Sequence, residues 1–177
     1  MNGRYLFQGN VISLIASLVI LYGLVLLEEN GISYALSTPF LLIMAVVWVM
    51  AIPSFVSYSK SQLERPWLMT YLALAAILIT LVGLILAFQH NFLGIEVILL
   101  GYTLEPFAGI SIYLTANKVS KLFSSLFFWG AVIFTFGLPL YLFSLGIVSI
   151  LGDIVKMAGI VMLLVKYVET SQRTKSF

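Results

Sequence analysis

The basic residues of this chain fall almost wholly into alternate gaps between long apolar runs, and that spacing constrains the fold more than any other feature. Arg4, Lys60, Arg65, Lys118, Lys121, Lys166, Arg173 and Lys175 occupy the two tails and the second and fourth gaps, whereas the other gaps hold no Lys or Arg. Short loops carrying Lys and Arg stay on the cytoplasmic side during insertion. The pattern predicts a multi-pass protein of the cell membrane with both termini cytoplasmic and with Glu28, Glu29 and His90 outside.

Composition points the same way. A hydrophobic content of 62%, a charged content of 9% and a mean hydropathy of +1.11 lie far from a soluble domain, so lipid is the expected solvent. The net charge of +2 reflects loop residues and argues for weak attraction to anionic headgroups, with no nucleic-acid partner. Cysteine is absent and His90 is the only histidine, which removes thiolate sites and bis-histidine haem; neither a metal nor a cofactor is expected. The run from Val11 to Leu27 is longer than the core of a typical signal peptide and reads as a retained first helix.

The apolar segments can be drawn at about residues 5–27, 33–58, 66–88, 92–116, 122–143 and 145–167, followed by a short cytoplasmic tail at 168–177. Each is long enough to cross a bilayer as a helix, at roughly 20 residues per crossing. Continuous apolarity without two-residue alternation rules against a barrel. The predicted fold is an all-α integral membrane protein, one six-transmembrane-helix bundle forming a single domain over residues 1–177. The fifth gap is uncharged, and Pro139 and Gly146 bracket the expected turn near Ser144.

A weak internal similarity aligns the second segment, around Trp48 and Pro53, with the fifth, around Phe134 and Pro139. It allows a 3+3 inverted repeat of the kind found in transporters. The small alphabet of apolar helices is the simpler explanation, since the first and third segments show no comparable match to the fourth and sixth.

Apart from Lys166 at the inner end of the last, the spans contain four charged residues: Glu96 and Glu105 in the fourth, Asp153 and Lys156 in the sixth. Charge at the bilayer centre is costly and by default marks function. Glu105 and Lys156 lie near the middle of their segments, at similar depth, and are expected to face each other; Asp153, three residues before Lys156, shares its helix face. Small-residue stripes through Gly101, Glu105 and Gly109, and through Ser149, Gly152, Asp153, Lys156 and Gly159, are expected to pack together. Pro106 removes a helical donor from the carbonyl near Tyr102, so Tyr102 and Pro106 join the expected midplane ion or proton site of Glu105, Lys156 and Asp153 as supporting residues. A buried ion pair that sets helix register is the structural alternative.

Glu96 and His90 are expected in an outer vestibule, while Asn10, Ser13 and Ser17 form a polar track on the cytoplasmic half of the first helix that could line a pathway. Trp48, Trp67 and Trp129 read as lipid and interface packing. Catalysis is disfavoured: Asp153 is the only Asp, His90 lies outside the apolar segments, and no phosphate loop or HExxH sequence occurs. The sequence therefore points to a small transport-type or ion/proton-translocating membrane protein. The alternative is a non-catalytic subunit or assembly factor of a larger membrane complex. In either case the expected partners, beyond the lipid bilayer, are further copies of the chain in a homo-oligomer or other integral membrane subunits.

Overall fold

The computed structural model describes residues 3–173, all of whose regular elements are helical. Met1, Asn2 and residues 174–177, including Lys175 of the expected basic tail, lie outside the described residues. Six helical stretches are long and apolar enough to cross a membrane: Arg4–Asn30, Thr38–Lys60, Leu68–Phe88, Leu93–Ala116, Lys121–Phe143 and Ile147–Glu169. In hydrocarbon a backbone must satisfy its own hydrogen bonds, and the helix does so within each segment.

The first span is the helix α1 (Gly3–Asn30), which ends at Gly31 with φ +77, a positive φ that glycine adopts without a Cβ penalty. The second span begins later than its apolar run. A 3-10 turn at Ile32–Leu36 precedes α2 (Thr38–Lys60), because Ser37 caps the helix by accepting from the Phe40 amide at 3.4 Å and Pro39 occupies the first turn. The third span opens with a π-helical turn at Leu68–Ala73 and continues as α3 (Leu74–Phe88).

The fourth span is two helices, α4 (Leu93–Thr103) and α5 (Glu105–Ala116), joined at Leu104. Pro106 explains the break: without an amide hydrogen it cannot continue the ladder of α4, but it is tolerated in the first turn of a new helix. The fifth span, α6 (Lys121–Gly137), tightens into a 3-10 segment at Leu138–Phe143 that contains Pro139. Pro53, its partner in the sequence similarity, lies inside the continuous helix α2, so the two prolines do not share a local structure. Ser144, at φ 57, makes the expected turn, and α7 (Ile147–Arg173) runs on beyond the expected end of the last apolar run.

Three antiparallel hairpins, α1 with α2, α3 with α4, and α6 with α7, are the most extensive contacts. Further contacts of α2 with α3, of α5 with α6 and of α7 with α1 close the spans into a ring in chain order. Glycine sets the α6–α7 spacing. A Cβ on Gly130 would strike the backbone of Lys156, one on Gly137 that of Ser149, one on Gly152 that of Phe134, and one on Gly159 that of Phe127. The expected seam between the fourth and sixth spans is therefore corrected. The Gly152 and Gly159 stripe packs on α6, Gly101 packs on Thr80 and Ala76 of the third span, and a Cβ on Gly109 would meet nothing within 4 Å. Neighbours in sequence meet first because a short turn brings them together at little entropic cost.

The ring is apolar outside, and its interior combines apolar packing with a few buried polar groups. Leu18, Val49, Leu78, Leu100, Phe136 and Leu151, one from each span, are exposed on its outer surface, whereas Asn10, Ser17, Thr135, Ser149, Asp153 and Lys156 are buried. At one end, Lys118 forms an ion pair with Glu64, and the Glu64 amide donates to Thr115 Oγ1 at 2.9 Å. Lys60 lies 5.9 Å from the centre of the Tyr5 ring at the same end, so the second gap, the fourth gap and the start of α1 cluster together.

Candidate functional site

Inside the ring is a cavity of ≈ 190 Å³ to which all six spans contribute. A single water needs only about 10–15 Å³ of such space. The break in the fourth span positions the acidic group of its wall: Glu105 is the first residue of α5. Glu105 is exposed, lines the cavity, and among the described residues takes part in no ion pair.

Lys156 lines the same cavity, yet its ammonium is paired elsewhere. Nζ meets Asp153 Oδ1 at 2.5 Å and lies 4.4 Å from the centre of the Phe134 ring, a cation–π contact. The direct Glu105–Lys156 contact expected from their depths is not formed. Equal depth fixes height but not direction around the helix, and Asp153 is one turn away on the same face, where pairing requires no approach between helices. Asp153 is fully buried and its carboxylate receives no conventional hydrogen bond among the described residues, so Lys156 is its principal compensation. Tyr102, one turn before Glu105, packs edge-on against Phe134 with ring centres 5.8 Å apart, and Pro106 lines the cavity beside Glu105.

Near the basic end, the polar track of α1 meets α2. Tyr58 donates to Asn10 Oδ1 at 2.8 Å, and Ser13 Oγ lies 3.1 Å from the Tyr58 hydroxyl and 3.0 Å from Ser54 Oγ. Since the Tyr58 proton is committed to Asn10, Ser13 donates to Tyr58 and accepts from Ser54. Ser13, Ser17, Ser54 and Tyr58 line the cavity; Asn10 is buried behind Tyr58, with its amide nitrogen unpartnered among the described residues. Tyr58 and Ser54 were not singled out in the sequence, and no charge marks them. Their signal is the spacing of two hydroxyls one turn apart on α2, opposite Ser13.

Trp48 also departs from expectation. It lines the cavity, with its indole nitrogen donating to Ile77 O at 2.9 Å, whereas Trp67 and Trp129 are exposed on the outer surface. Glu96 lies away from Glu105, on the wall of a second, mostly apolar cavity of ≈ 100 Å³. The two cavities share Ile20, Met44 and Tyr102 in their walls. His90 is in the exposed turn between α3 and α4, with φ 57, and lines neither cavity.

Six long apolar helices, an apolar exterior and buried charge make this a polytopic membrane protein. Comparison with known protein families, with curated proteins and with solved structures finds no match.

Proposed function

We propose that the chain is a small transport-type membrane protein that moves a proton or other cation through its ring of helices, with both termini and the basic end cytoplasmic. The observation that carries this reading is Glu105, without an ion-pair partner among the described residues, on the wall of a cavity built from every span. An ionisable group inside a bundle, at a helix break, is the arrangement by which a carrier binds charge near mid-membrane. In this mechanism Glu105 takes up and releases the charge, while the Asp153–Lys156 pair stays closed and holds the adjoining wall. The hydroxyl chain of Ser54, Ser13 and Tyr58 provides polar groups on the basic side of the cavity. Ile20, Met44 and Tyr102, where the two cavities adjoin, form the barrier that changes conformation.

The test is proton movement into liposomes containing the purified chain under an imposed pH gradient. The wild type should dissipate the gradient faster than protein-free vesicles, and Glu105→Gln should fall to the protein-free rate while remaining folded in the bilayer. Equal rates for the wild type and Glu105→Gln would contradict the proposal.

A further inference from the structure

Resting on that transport reading, we infer that the inner cavity takes a small organic cation, an amine or quaternary ammonium with an apolar body, and that Glu105 is its counter-charge. The charge available on the wall is negative. Glu105 is exposed, lines the cavity and has no ion-pair partner among the described residues, whereas the Lys156 side chain is only 10% exposed and its ammonium is neutralised by Asp153. An anion would meet the carboxylate and find no free cation on the described wall.

The remainder of the lining distinguishes among cations. Trp48, Phe55, Tyr58, Tyr102 and Phe128 contribute aromatic surface, and the hydrogen bond from Trp48 to Ile77 O at 2.9 Å fixes the indole. Aromatic faces attract weakly hydrated cations, and quaternary ammonium groups above all. Divalent ions need about six to eight oxygen ligands for calcium and a near-octahedral shell for magnesium. Among the described residues no group of three or more His, Cys, Asp or Glu side chains could hold a metal ion. A cation with an apolar body gives up little hydration on entering such a site and buries hydrocarbon against its walls, which fits a mostly apolar cavity of ≈ 190 Å³.

The experiment measures benzyltrimethylammonium binding to the full chain in lipid nanodiscs by calorimetry. Neopentylbenzene, its neutral isostere, reports any binding that needs no charge, after correction for partitioning into empty nanodiscs. The expected result is saturable binding of the cation, at least tenfold tighter than the isostere. Glu105→Gln should remove that preference, Glu96→Gln should keep it, and Trp48→Leu should weaken cation binding several-fold more than Trp48→Phe. No saturable binding to the wild type, or equal affinity for the cation and its isostere, would overturn the inference without relying on any variant. If cation binding is lacking but Glu105-dependent proton movement persists in liposomes, the substrate assignment alone fails; if both are lacking, the reading beneath it fails as well.

Discussion

Lys156 meets Asp153 one turn earlier on its own helix at 2.5 Å, and so leaves Glu105, on the wall of the same cavity, without an ion-pair partner among the described residues. Three charged groups are thereby divided into a closed pair and a single acid. A pair buried in low dielectric is costly to break from one side, because the remaining charge is left uncompensated.

Asp153→Asn should accordingly destabilise the folded chain by about 3–5 kcal/mol, the usual cost of orphaning a buried charge. The double variant Asp153→Leu/Lys156→Met, which removes both charges, should recover wild-type stability or exceed it. Unfolding of each variant in the same detergent, followed by circular dichroism, checks the order. A single variant as stable as the wild type would show that the pair is not buried.

The glycine seam gives a sharper packing test. Gly152→Val would drive its side chain into the backbone of Phe134 and should separate α6 from α7, at a cost of about 1–3 kcal/mol or more for overpacking. Gly109→Ala, in a helix and with open space around the new Cβ, should be neutral or should stabilise by up to about 1 kcal/mol. Thermal unfolding of the two variants should separate them clearly.

Tyr58→Phe removes one hydroxyl and leaves Asn10 Oδ1 without its donor, while Ser13 keeps its contact with Ser54. The expected cost is about 1–3 kcal/mol. A double-mutant cycle with Asn10→Leu should give a favourable coupling between the two positions; strict additivity would mean that the hydrogen bond contributes nothing to stability.

Orientation can be read by single-cysteine labelling, since the natural chain contains no cysteine. A cysteine at His90 should react with an impermeant reagent added outside intact cells. One at Asn117, in the gap that holds Lys118 and Lys121, should react only after permeabilisation. The reverse pattern would invert the assignment drawn from the basic loops.

The spans were legible in the sequence to within a few residues, because apolar run length is a direct physical requirement of the bilayer. Their ends moved where local chemistry intervened, as at Ser37 and Pro39 before α2. The disruption at Pro106 was legible too, since the missing amide is a property of the residue itself. Direction around each helix was not. Counting residues placed Glu105 and Lys156 at one depth, but only the packing of α6 on α7, set by Gly130 and Gly152, shows that Lys156 turns toward Asp153 and Phe134. Trp48 and Tyr58 were hidden for a related reason: an aromatic ring in an apolar run looks the same whether it faces lipid or a cavity, and hydrogen bonds to Ile77 and Asn10 separate the cases.

The most direct test of the central claim, that Glu105 faces an interior cavity and not the acyl chains, is the reactivity of Glu105→Cys in lipid toward a small, water-soluble, membrane-impermeant methanethiosulfonate, with Ser149→Cys as the sealed reference. The account predicts that the cysteine at position 105 reacts and that the one at position 149, fully buried between α6 and α7, does not. A cysteine at position 105 that resists the polar reagent but reacts readily with a lipid-soluble maleimide would contradict it.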